Sequence, residues 1–242
     1  MTNGTALAGN GATARTSPAS IKRIIVVLTT TSIWGALLFV SAGRPDWTRG
    51  WICFGISLLS IGASAVAVLW KNPELVAARG RLHRKEMRTF DKIFMAFYLP
   101  AWFALPVVAG LDAVRFGWSS LPWAALWPGV ILQLLAIPPV AWAMATNPHL
   151  ETTVRIQHDR GHKVITSGPY AMVRHPMYVG AILNVVGTPL VLGSPWAYAP
   201  AGFALVLFVL RTALEDRTLR RELAGYEEYA QRTRYRLLPG VW

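Results

Sequence analysis

The sequence predicts an all-α, multi-pass integral membrane bundle of about six transmembrane spans, the last two a helical hairpin, with a C-terminal cytoplasmic helix. Three observations carry this. Hydrophobic residues make up 53% of the 242 positions, yet the formal net charge is +12. The apolar residues come in blocks with the charges between them, which is how a chain lies in hydrocarbon while keeping charge in water. The basic residues alternate: the N-terminal arm, second loop, fourth loop and tail hold 3, 7, 4 and 7 Lys or Arg, which is 21 of the chain's 24. Six spans with both termini cytoplasmic are what the positive-inside rule expects of that pattern.

Residues 1–20 are small and polar with one charge, Arg15, and read as a disordered arm without the basic start and apolar centre of a signal peptide. A four-helix transmembrane region is expected over 21–145, with apolar spans at Ile24–Val40, Trp51–Trp70, Ile93–Gly110 and Leu121–Met144. Pro138-Pro139 should kink the fourth, because proline removes a helix hydrogen bond and clashes with the preceding turn. Residues 146–242 form a third region with a short span, Tyr178–Leu192, and a last one, Ala197–Leu210, parted by Gly193-Ser194-Pro195. The short span either crosses or is re-entrant. Trp47, Trp51, Trp118, Trp123 and Trp127 fall near span ends, where indoles favour the headgroup layer. The basic loop Lys71–Lys92 reads equally as an amphipathic helix on an anionic membrane surface or as a solvated loop, and its His83 carries no assignment.

The single cysteine, Cys53, lies in an apolar block, and no Cys/His cluster has zinc-ligand spacing, so a buried inert thiol is expected and no metal. A charge asymmetry across a membrane accounts for the basic excess, and no nucleic-acid-binding motif is present.

Two constellations stand out. QHDRGHKVITSGPYAMVRHPMY, from Gln157 to Tyr178, places histidines, arginines and tyrosines just before an apolar helix. Pro176 suits the first helical position, which puts Arg174 and His175 at a helix N-terminus, where the dipole opposes cations. An anion held between them and the free N–H groups would remove the conflict; flanking positive charge is the plainer reading. After the last span, Arg211 and Glu215 stand four apart on one helix face. Arg211 follows the apolar run FALVLFVL and is either a snorkelling arginine or a buried ionisable group serving a ligand, with nothing in the residues to decide. Asp216, Arg220 and Glu222 fit ordinary solvated pairs.

The order of these residues resembles the isoprenylcysteine carboxyl methyltransferase family and its phospholipid N-methyltransferase relatives. The likeness rests on Gly168-Pro169-Tyr170, RHPMY from Arg174 to Tyr178, Gly180, Glu215-Asp216 with Leu219, Gly225-Tyr226, Tyr229 and the closing RYRLLPGVW. It covers roughly the last 85 residues, and the first four helices share only apolarity. The resemblance implies a methyltransferase using S-adenosylmethionine, held near the cytoplasmic face of the cell membrane without a dinucleotide-binding fold; the chain has no GxGxxG. It implies that Gln157, His162, Lys163, Val164, Ile165, Tyr170, Arg174, His175, Met177, Tyr178 and Glu215 line the cofactor site, and that Arg211 is the substrate-side arginine. Arg174 and His175 would take the methionyl carboxylate, Glu215 the cationic side, and Tyr170 or Tyr178 the adenine or sulfonium. Gln157 is the least constrained, and Asp216 stands where relatives carry Glu. The acceptor is a small or lipid-like molecule entering from the bilayer. Its identity and the oligomeric state are not legible.

Two other classes compete. Membrane sterol reductases share this C-terminal architecture but use NADPH, for which Arg217, Arg220, Arg221, Arg232, Arg234 and Arg236 offer cationic contacts. A non-enzymatic membrane protein would tolerate His175→Ala and Glu215→Gln without loss of function.

Overall fold

The computed structural model describes residues 17–81 and 86–242, and all regular structure among them is helical. Helix α1 is Pro18–Ala42, α2 Thr48–Lys71, α3 Glu74–Gly80 and α4 Thr89–Gly110, the last extended by a π-helical turn over Leu111–Arg115. Helix α5 is Leu126–Thr146, α6 Pro176–Leu192, α7 Tyr198–Glu222 and α8 Tyr226–Arg232. Ser17 caps α1 by accepting from the Ser20 N–H, so residues 18–20 belong to the first helix rather than to a disordered arm. The rest of that arm, residues 1–16, and His83 lie outside the described residues.

Among the described residues five helices are long and apolar enough to cross a membrane: α1, α2, α4 with its π-turn, α5 with the turn before it, and α7. Helix α6, with 17 residues, is shorter. Leu28, Leu59, Val66, Ile131, Leu135 and Val206 are exposed along these helices, as a multi-pass membrane protein requires of its lipid-facing side chains. Trp51, Trp118, Trp123 and Trp127 are also exposed, but Trp47 is buried in the core beside Gly50 and Phe39. Helix α5 runs through Pro138-Pro139 without interruption.

Small residues let α5 and α6 approach closely. A Cβ on Gly180 would stand 2.6 Å from the Ala136 carbonyl oxygen, and one on Gly129 would stand 2.7 Å from the Val191 nitrogen. Close backbone approach of this kind packs helices where lipid competes equally for apolar side chains. A core of Trp34, Leu38, Phe94, Leu105, Tyr178, Leu192 and Phe208 joins α1, α4, α6 and α7.

The two ends of the bundle are fastened differently. At one end Asp112 accepts from the Ser119 backbone N–H (2.9 Å), the Ser194 hydroxyl (2.6 Å) and the Trp196 backbone N–H (3.3 Å). Arg49 there donates to the Leu121 and Pro122 carbonyls and lies over the Trp123 ring. The other end holds the start of α1, all of α3 and α8, and the charged extension of α7 past Leu210. Part of the basic loop, among the described residues, is buried. Its helix α3 packs on protein, with Leu75 and Ala78 buried against Val68, Met144 and Leu150.

Candidate functional site

The cavity lies at the end where α6 begins and α7 finishes. Gly168, at φ +61°, turns the chain through Pro169-Tyr170, and Pro176 opens α6 at a position where its missing N–H leaves no bond unmade. The groups preceding α6 are not free for a ligand. The Arg174 and His175 N–H groups donate to the Tyr235 and Arg236 carbonyls at 2.9 and 3.0 Å. The anion expected between their side chains is present, but it is internal. Asp216, fully buried, accepts from Arg174 Nε at 2.7 Å, Arg236 Nε at 3.0 Å, Arg220 Nε at 3.2 Å and the Tyr226 hydroxyl at 3.1 Å. His175 Nε2 lies 3.7 Å from the same carboxylate and makes no hydrogen bond. Asp216 is thus not half of a solvated pair: it is the counter-charge that makes the Arg174 guanidinium tolerable at a helix N-terminus. Arg174 also donates to the Thr233 and Arg234 carbonyls, both at 2.8 Å, so the tail is tied across the start of α6.

Arg211 is buried, not snorkelling. It pairs with Asp91 of α4 at 2.8 Å, donates to the Thr152 carbonyl at 3.0 Å, and lies over the Phe94 ring at 4.4 Å. Asp91 also accepts the Val154 N–H. One buried carboxylate therefore ties α4, α7 and the loop after α5 together. Glu215, one turn past Arg211, accepts from the Tyr178 hydroxyl at 2.5 Å, and the Tyr178 ring stacks on His175 with 5.6 Å between centroids.

The segment 147–165 closes the remaining side. His149 and His162 face each other with ring centroids 4.5 Å apart. Burial lowers the pKa of both; His162 falls to about 4, with the neighbouring His149 charge the next cause. Glu151 holds Arg155 through two contacts at 2.9 and 3.0 Å. Tyr170 accepts from Asn147 at its hydroxyl (3.1 Å) and from the Tyr229 hydroxyl at its carbonyl (2.7 Å). Burial raises the phenol pKa values of Tyr170, Tyr226 and Tyr229, so they remain protonated donors.

These elements enclose a cavity of about 780 Å³, part of it open to solvent. It is lined by His162, Lys163, Val164, Ile165, Tyr170, Arg174, His175, Met177, Tyr178, Arg211 and Glu215, so eleven residues singled out from the sequence meet in one place. Gln157 does not line it. That side chain is buried behind the wall, where its Nε2 donates to the His149 carbonyl at 2.7 Å and it braces the histidine pair.

Several lining or supporting residues carried no signal in the sequence. Asp91, Asn147, His149, Glu151 and Arg155 lie outside both constellations and reach the site only through the fold. Asp91 alone of these had an available sign, an acid at the mouth of an apolar span.

The model of the isoprenylcysteine carboxyl methyltransferase (ICMT) family matches residues 129–221. The match takes in α5, which the motifs alone had left outside, and ends before Gly225-Tyr226 and the closing RYRLLPGVW. Cobalt-zinc-cadmium resistance protein CzcN of Cupriavidus metallidurans is 30% identical over 149 residues, 60% of this chain and 66% of that protein. The chain thus spans just under two thirds of that relative. A probable protein-S-isoprenylcysteine O-methyltransferase of Oryza sativa subsp. indica is 28% identical over 174 residues, 70% of this chain and 90% of that protein. The Delta(14)-sterol reductase erg24 of Schizosaccharomyces pombe is 33% identical over 99 residues, which cover 40% of this chain and 23% of the reductase.

Proposed function

We propose that the chain is a membrane methyltransferase of the isoprenylcysteine carboxyl methyltransferase family, a reading supported by its partial match to that family's model and by its likeness to protein-S-isoprenylcysteine O-methyltransferases, and that it moves a methyl group from S-adenosylmethionine to a small or lipid-like acceptor at the cytoplasmic face of the cell membrane. The observation that carries the reading is the single cavity in which Glu215, Tyr178, His175 and the His162–Ile165 segment converge.

The residues fit that cofactor. The cavity combines apolar and aromatic walls with a few convergent polar groups, as small-molecule sites do. Its walls offer a carboxylate for a cationic sulfur or ammonium and four tyrosine rings for a nucleobase or cation. Arg174, being spent on Asp216 and the tail, acts in this reading by fixing His175 and the start of α6, and not by direct grip. When bound, the cofactor supplies a methyl group already activated by its positive sulfur. The protein's task is then to align donor and acceptor and to exclude water. Glu215, oriented by Tyr178, stands on the donor side. Arg211, held by Asp91 and shielded by Phe94, faces the acceptor. The alternation of basic segments supports the cytoplasmic placement of this end.

The partial likeness to a sterol reductase supports a second reading, with NADPH as cofactor. Of the arginines that would serve its 2′-phosphate, Arg220 is paired with Asp216 and Glu227, and Arg236 with Asp216. Calorimetric titration of the purified protein with S-adenosylmethionine and NADPH in parallel decides between them. Saturable S-adenosylmethionine binding that is weakened in Glu215→Gln is expected. NADPH binding alone, or neither, sinks the proposal.

A further inference from the structure

Among the described residues Arg79 is a cation without a counter-charge. Helix α3 meets α1 so closely that a Cβ on Gly80 would stand 1.9 Å from the Ala19 carbonyl oxygen, an approach open only to glycine. This contact delivers Arg79 to the back of the cavity wall. Its Nη1 donates to the Leu150 carbonyl at 2.9 Å and lies 3.9 Å from Met177 Sδ, and both of those residues line the cavity. Its Nε is buried with no partner. Burial, and then the charge of Arg23 on α1, pushes the guanidinium down to about 9.

The contrast with the other buried or half-buried arginines of this end is sharp. Arg155, Arg174, Arg211, Arg220 and Arg236 each have a carboxylate between 2.7 and 3.2 Å away. Among the described residues none pairs with Arg79 or Arg23, and the stretches 1–16 and 82–85 contain no Asp or Glu. Glu74 of the same helix is exposed. Arg23 stands four residues beyond Ala19, on the face of α1 that Gly80 touches. A guanidinium drawn out of water beside a second one is costly unless an anion joins them, and its forked donors suit an oxyanion. The neighbours Lys22, Ile24 and Ile25 are exposed, so the pair sits where a span enters the bilayer.

We propose that Arg79 and Arg23 form a seat for one oxyanion carried by an amphiphile in the bilayer, either the phosphate of an anionic phospholipid or the carboxylate of the acceptor. With a phospholipid the seat is independent of the methyl-transfer reading; with the acceptor it rests on that reading and makes Arg79 a specificity-determining residue. In both cases the occupant braces Leu150 and Met177 from behind.

Two arms distinguish the sources, with the full chain in phosphatidylcholine nanodiscs. In one, phosphatidylglycerol is mixed in and retained lipid is counted by native mass spectrometry. In the other, the affinity for S-farnesylthiopropionate is compared with that for its neutral amide. A preference of about tenfold for the anionic member is expected in at least one arm, lost in Arg79→Gln and in Arg23→Gln and partly kept in Arg79→Lys. The arm that responds names the source. No preference in either arm, or a preference that survives both Gln variants, overturns the seat. A thermal unfolding midpoint close to that of wild type certifies that a variant is folded, and S-adenosylmethionine binding is read separately. Its absence in wild type sinks the methyl-transfer reading, while the two arms still judge the anion seat.

Discussion

Arg174 and Asp216 meet at 2.7 Å, from the turn before α6 and the extension of α7, with both side chains almost wholly shielded from water. Around that contact gather Arg220, Arg236, Tyr226 and the backbone of the tail. Asp216→Asn would leave three guanidinium groups competing for a neutral amide. Breaking a buried pair from one side costs about 3–5 kcal/mol, so we expect a large fall in the thermal unfolding midpoint in detergent, together with protease sensitivity after residue 222. A midpoint unchanged within a degree would contradict the role given to Asp216.

Glu215 offers a different outcome, because its hydrogen-bond donor among the described residues is the Tyr178 hydroxyl at the cavity wall. A bond to a charged group is worth about 1.5–3 kcal/mol, or roughly 10- to 150-fold. Glu215→Gln should therefore weaken S-adenosylmethionine binding by that factor while the unfolding midpoint moves little. Tyr178→Phe should produce a smaller loss in the same direction. Calorimetry beside thermal unfolding reads both quantities.

Acid should loosen the loop of residues 147–165. His162 titrates at about 4 and His149 below its ordinary value, so the folded chain keeps both neutral. Above pH ~6.5 neither state binds a proton there, and the pair contributes no pH dependence. Between pH 6.5 and about 4 the opened loop takes up protons that the closed one refuses, so stability and ligand binding fall as pH falls. Hydrogen exchange across 147–165 should rise over that window and flatten in a His162→Asn variant.

Helix α6 owes its position to residues without side chains. Gly180→Val would drive atoms into the Ala136 carbonyl and Val140. Overpacking of this kind costs about 1–3 kcal/mol. Because Tyr178 and His175 sit at the same helix start, cofactor affinity should fall along with stability. Gly202 gives the contrasting case: a Cβ there would meet no atom within 4 Å, and Gly202→Ala should be neutral in both measurements.

Much of the site was legible because its residues follow one another closely. RHPMY and Arg211 to Asp216 each occupy a single turn or two, and hydropathy blocks with alternating basic segments located them at one end. Partnership was less legible. The sequence suggests that Arg174 awaits an external anion, but whether a carboxylate 42 residues away folds onto it depends on the angle between α6 and α7. Asp91 and Arg211, 120 positions apart, pose the same problem. The burial of α3 was hidden for another reason: seven residues are too few to show a period, and their fate is decided by Gly80 against Ala19.

The Asp112 knot at the far end has a mechanical corollary. With two loops stitched to one carboxylate there, and paired charges and a tucked tail holding the opposite end, the assembly resembles a book bound along its spine. Any bulky guest has to part the pages from the open edge, and a covalent staple beside the binding should leave its admission undisturbed.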